Sequence, residues 1–181
     1  MEWDPADPSD VETWSEEYDA NYDDDLRKIE DCLNESLPEQ RYITRAQLER
    51  VVEWKLAAQP GRRDRNVERL SGVPDEFVRR VSEAALIVDD SKLQLKTLSS
   101  IPGIGNATAT LVLAFYDPAN YAIGDRYIVD ALLGEDRAMR LTDYPVILDE
   151  LRDQNPGNFD LRTVEKAYYQ KYRDAHDVGR W

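Results

Sequence analysis

The sequence predicts an all-α fold, a single helical-bundle domain, on three observations. Apolar residues recur at three- and four-residue intervals in one segment after another. Capping residues, prolines and glycines fall between those segments, where helices begin and end. One segment, residues 106–115, is apolar almost all round, as suits a helix in the middle of a bundle. The nearest approach to a strand is the short run 121–123, and no internal repeat is visible.

Taken in order, residues 1–21 mix acids with Pro5 and Pro8, which predicts a disordered acidic tail ahead of a helical domain spanning 22–181. Trp3, Trp14 and Tyr18 leave open an arm that docks on the domain or on a partner. Over residues 23–36, Leu26, Ile29 and Leu33 recur at helical spacing behind an acidic first turn, and Cys32 is placed on the same apolar side as core packing. Thr44 and Gln47 form a capping-box signature for a helix bearing Leu48, Val51, Val52 and Leu56, which runs to residue 58 and stops before Pro60. Residues 59–66 then read as a polar loop.

Pro74 suits a first helical turn, and Phe77, Val78, Val81 and Ala85 supply that helix's buried face. Asp89 or Asp90 caps a helix carrying Leu93, Leu95 and Leu98. A five-residue hairpin, 101–105, leads into the apolar helix, and after a connector Asp125 opens another helix that runs to residue 133. Thr142 is placed to cap a helix with Ile147, Leu148 and Leu151, closed by Asn155, Pro156 and Gly157. Asp160 is placed to cap a last helix with Leu161, Val164, Tyr168 and Tyr172.

Composition narrows the function classes. The length of 181 residues suffices for one domain with a substantial core. One cysteine excludes an internal disulfide and any four-cysteine metal site. No long apolar run and no charged-apolar-small leader is present, so a cytoplasmic protein with no membrane partner is expected. Of the formal charge of -14, eleven acids and no base lie in residues 1–25, leaving only -3 for the rest. The acidic, Arg-rich and Lys-poor composition resembles that of proteins from salt-accumulating halophilic archaea. At about 1 M salt the Debye length is roughly 3 Å, so repulsion from DNA is short-ranged.

Residues 98–113 are the most distinctive stretch. Leu98 and Ile101, then Pro102, Gly103, Ile104 and Gly105, then Thr108 and Ala109, set out a pattern that resembles the helix-hairpin-helix motif of DNA-binding proteins. The glycines allow backbone N–H groups to face outward at the start of the following helix, where phosphate is attracted. The same residues also suit a plain tight turn between core helices. Asp125 extends the resemblance to the helix-hairpin-helix DNA glycosylase superfamily, in which a catalytic aspartate opens the helix after the motif. The lyase branch of that family carries a lysine two residues after the second glycine and the aspartate eighteen residues later. Those positions are held here by Ala107 and Asp125, so the carboxylate is kept and the amine is not. Arg126 and Tyr127 also depart from that branch, which usually has a small residue and a histidine there.

The resemblance implies a double-stranded DNA partner with a damaged or modified base, and monofunctional base excision. The base is flipped out, cleavage builds positive charge on the sugar, and Asp125 stabilises that charge and orients or deprotonates water. Asp125 is equally a good N-cap. Without a lysine at Ala107 no Schiff base forms there, so no lyase step is expected. Gly103, Ile104, Gly105 and Asn106 are the hairpin contacts to phosphate. Arg62, Arg63 and Arg65 either hold phosphates or form a solvated loop pairing with Asp64 and Glu68. Gln59 is a candidate wedge. Tyr127 and Trp54, with Tyr116 and Tyr121, are candidates to stack on an extruded base. His176 is a poor candidate for acid–base work. No cofactor or metal cluster is implied, although the carbonyls of Ile101 and Ile104 permit a monovalent cation at the hairpin. The alternatives are a non-catalytic DNA-binding relative and a protein-interaction module whose hairpin is purely structural.

Overall fold

The computed structural model describes residues 4–176, which form ten helices and no strand. Helix α1 (Pro8–Ala20) lies in the stretch whose composition predicts disorder. Its acids are mostly exposed, but Val11, Trp14 and Tyr18 are buried, and it packs along α10 (Leu161–His176) more extensively than any other helix pair packs. Burying three such side chains contributes about 1.5–3 kcal/mol each, which outweighs the charge of a short acidic segment. Asp7 starts the helix by accepting the Ser9 N–H at 2.9 Å. Trp3 lies outside the described residues.

Helix α2 (Asp24–Gln40) runs longer than its periodicity suggests, and it buries Leu26, Ile29, Leu33 and Leu37. Cys32 is exposed, because the buried stripe follows residues 26, 29, 33 and 37 and position 32 falls beyond its edge. Helix α3 (Arg45–Lys55) begins with the expected capping box. Helix α4 (Pro60–Ser71) replaces the expected polar loop. Pro60, expected as a stop, is instead a first-turn residue whose fixed φ starts the next helix.

Helices α5 (Asp75–Leu86) and α6 (Ser91–Leu98) pack on each other, and Asp90 is the residue that caps α6. Helix α7 (Asn106–Tyr116) is the centre, buried continuously from Thr108 to Phe115 and contacted by α2, α3 and α6. Helices α8 (Arg126–Leu133) and α9 (Asp143–Asp153) close the bundle with α10. Thr142 makes no side-chain cap. The Asp143 carboxylate takes over that end, accepting the Arg140 N–H at 2.7 Å and the Arg137 guanidinium at 2.5 Å. No described helix is long and apolar enough to cross a membrane.

Candidate functional site

The turn between α6 and α7 is tight because two residues allow it. Gly103 has φ 90°, and a Cβ there would meet the Asn66 carbonyl oxygen at 2.7 Å, so this glycine lets the turn press against α4. Gly105 is extended, with φ -94°, and a Cβ on it would meet nothing within 4 Å. Its bareness leaves the start of α7 uncovered. No side chain caps the first amides of α7, whose positive end therefore faces outward. Asn106 accepts the Ser99 hydroxyl at 3.1 Å, and the Ile101 carbonyl accepts the Ile104 N–H at 3.0 Å.

Opposite this turn, α4 presents Arg62, Arg65 and Arg69 at three- and four-residue spacing along one side. Arg62 donates to Gln59 at 3.1 Å, and none of the three is ion-paired among the described residues. Arg63 points elsewhere and pairs with Asp64 at 3.1 Å. A groove of about 890 Å³ lies between the two elements, with Gly103, Gly105 and Asn106 on one side and Arg62, Arg65 and Arg69 on the other.

Asp125 lies in the wall of the same groove. The chain is led there by α7: Thr110 Oγ1 accepts the Gly124 N–H at 3.0 Å, and a Cβ on Gly124 would collide with Met139 Sδ. Asp125 Oδ1 accepts the N–H groups of Tyr127 and Ile128 at 2.9 and 3.1 Å, so one oxygen is the N-cap of α8. The other oxygen, Oδ2, accepts Lys55 Nζ at 2.9 Å. Both side chains are largely covered, at 15% and 14% exposure. Lys55 is the functional candidate that sequence reasoning misses. It ends α3, 70 positions from Asp125, and no local signal joins the two.

Behind this pair lies a buried polar cluster. Arg162 donates to Glu30 at 3.1 and 3.2 Å, to Tyr18 at 3.1 Å and to Glu165, while Tyr22 donates to Glu30 at 2.5 Å. The Trp54 indole N–H donates to Tyr22. Burial pushes the Glu165 carboxyl up to about 7 against the pull of Arg162, and the charge of Asp125 adds to the rise. Burial acts on Glu30 in the same sense, but Arg162, Lys166 and the hydrogen bonds from Arg162 and Tyr22 together bring its carboxyl below the usual range. Burial also pushes the Tyr169 phenol up, again with Asp125 adding to it.

The groove thus gathers Gly103, Ile104, Gly105, Asn106, Arg62, Arg65, Asp125, Tyr127 and Trp54, and it leaves Arg63 out. Gln59 also lines it, at the start of α4 rather than in a loop. Tyr116 and Tyr121 are not among its lining residues. Trp54 is 2% exposed and packs edge-on against Tyr22 and Phe115, so its faces are not open for stacking as expected. Tyr127 is half-buried between Tyr169 and Tyr172. His176 stacks on Tyr172 at the end of α10. No group of three His, Cys, Asp or Glu side chains suited to a metal ion occurs among the described residues. Compared with protein-family models, curated proteins and solved structures, the chain matches none.

Proposed function

We propose that the groove binds DNA and that the protein is a base-excision enzyme of the helix-hairpin-helix glycosylase type. The reading is carried by one observation: three arginines without carboxylate partners among the described residues, an uncapped helix start and a fixed carboxylate converge on a single groove. Arginines and helix-start amides are the groups that hold phosphates. On this reading Asp125, whose Oδ1 caps α8 and whose Oδ2 accepts from Lys55, is the carboxylate that stabilises positive charge developing on a sugar of the bound strand. The ligand on this reading is a duplex with a damaged or modified base.

A panel of lesion-containing duplexes, comparing wild type with Asp125→Asn, tests it. Asparagine keeps the cap but not the charge, so base release is expected to fall by about 10²–10⁴-fold with binding retained. Equal release by both proteins would contradict a catalytic Asp125. A second reading, DNA binding without chemistry, is favoured by the occupation of Oδ2 by Lys55. Tight binding with no release from any lesion would select it.

A further inference from the structure

We propose that anion binding in the groove is linked to a proton at Glu165: the buried carboxyl takes up a proton from solvent as phosphates enter, and the groove loses affinity when that carboxyl ionises. The inference rests on DNA occupying the groove as above and adds a control on that binding from behind the groove wall. Three observations carry it.

The first is an imbalance of charge. Facing Glu165 are Arg162 of the same helix, Tyr18 of α1, Glu30 of α2, Lys55 of α3, Asp125 at the start of α8 and Tyr144 of α9. Burial pushes both phenols up, so they stay neutral. Lys166, whose charge acts on Glu30, is taken by Asp19 at 2.9 Å. Three carboxylates, Glu30, Glu165 and Asp125, are thus left to two cations, Arg162 and Lys55. A carboxylate without its own cation is costly at this depth, and a proton is the simplest way to remove its charge.

The second observation is which acid is least served. Asp125 accepts two backbone amides and Lys55, while Glu30 accepts Tyr22 and two bonds from Arg162. Glu165, 2% exposed, accepts from Arg162 alone among the described residues. The surplus proton belongs there, in line with the rise of this carboxyl to about 7.

The third is the thinness of the wall between cluster and groove. Trp54 lines the groove, and the Arg162 guanidinium lies over its ring, 6.0 Å from the centroid. Tyr169, one turn along α10 from Glu165, lines it too, as do Lys55 and Asp125. A charge on Glu165 therefore acts on the groove across packed side chains, where it is screened less than through water. Ionised, the carboxyl sets a negative charge behind a site for phosphates. Linkage is reciprocal, so a phosphate in the groove raises the proton affinity of Glu165 by the same factor.

Affinity for a tetrahydrofuran-containing duplex is measured at constant salt from about pH 6 to about pH 8, and heats of binding in two buffers of different ionisation enthalpy read the proton uptake. Wild-type affinity is expected to fall about three- to tenfold over that range, with net proton uptake on binding near neutrality. Glu165→Gln, whose amide imitates the protonated acid, is expected to keep the low-pH affinity throughout and to lose the uptake. His176→Ala, which removes the chain's one histidine, is expected to behave as wild type. Binding by wild type without pH dependence or uptake, the same dependence in Glu165→Gln, or its loss in His176→Ala would overturn the proposal and leave the DNA reading standing. No binding by wild type at any pH would overturn the DNA reading, and the proposal with it. Should Glu165→Gln not fold, infrared difference spectra of wild type with and without the duplex decide: a protonated-carboxyl band gained on binding supports the proposal, and no gain overturns it.

Discussion

Arginine is used in opposite ways in two regions of this molecule. Arg162 is 4% exposed and fully engaged by Glu30, Glu165 and Tyr18, so it ties α1, α2 and α10 together. Arg62, Arg65 and Arg69 line the open groove and lack carboxylate partners among the described residues, although the chain carries a net charge of -14. Arg27, Arg41 and Arg140 also make no ion pair among the described residues, so what sets the three apart is that they share one groove. The buried arginine belongs to the architecture; the three on the groove mark where an external anion is expected.

Four comparisons sharpen or break that contrast. The largest effect is expected inside: Glu30→Ala leaves Arg162 short of a partner and is predicted to cost about 3–5 kcal/mol by urea denaturation. Arg65→Ala, by contrast, should change stability by less than about 0.5 kcal/mol. Similar losses for both would erase the distinction. Next comes pH. The Glu165 carboxyl is raised by burial from 4.5 to about 7, so the folded state binds more protons than the unfolded state between those values. The contribution of this group to stability is therefore greatest below pH 4.5 and falls as pH rises toward 7. Glu165→Gln is predicted to flatten that decline, read as melting temperature against pH; an unchanged slope would assign it to another group.

A smaller difference separates the two hairpin glycines. Gly103→Ala places a methyl against the Asn66 carbonyl at φ 90° and is expected to destabilise by about 1–3 kcal/mol. Gly105→Ala meets open space and should cost less than about 1 kcal/mol, while weakening DNA binding by covering the start of α7. Equal destabilisation by the two would show that the turn is not pressed against α4 as described. Arg63→Ala, the smallest change, is predicted to leave DNA affinity within about twofold, because Arg63 pairs with Asp64 away from the groove.

Local chemistry is what the sequence makes legible. The Thr44 and Gln47 capping box, the cap at Asp90, the all-apolar run of α7 and the N-cap role of Asp125 each lie within a few residues of their partners. The convergence of Arg62, Arg65, Asp125 and the hairpin on one groove is also expected, but on a resemblance rather than on spacing. Tertiary structure accounts for the rest. Helix α1 reads as disordered because its three anchors are worth something only once α10 covers them. Pro60 has the same letter whether it ends one helix or begins the next, which hides α4. Trp54 reads as a stacking platform, but Tyr22 and Phe115 close around it. The Lys55 contact spans 70 positions, a distance over which no periodicity reaches.

The proposal that the groove binds an anion is the point on which the rest depends. Affinity for a tetrahydrofuran-containing duplex, measured across a series of salt concentrations for wild type and for the triple variant Arg62→Ala, Arg65→Ala, Arg69→Ala, reads it. The predicted result is saturable binding by wild type, with a plot of log affinity against log salt that becomes shallower in the variant by about 0.9 for each phosphate left without its arginine. Identical slopes for the two proteins, or no saturable binding by wild type at any salt, would contradict it.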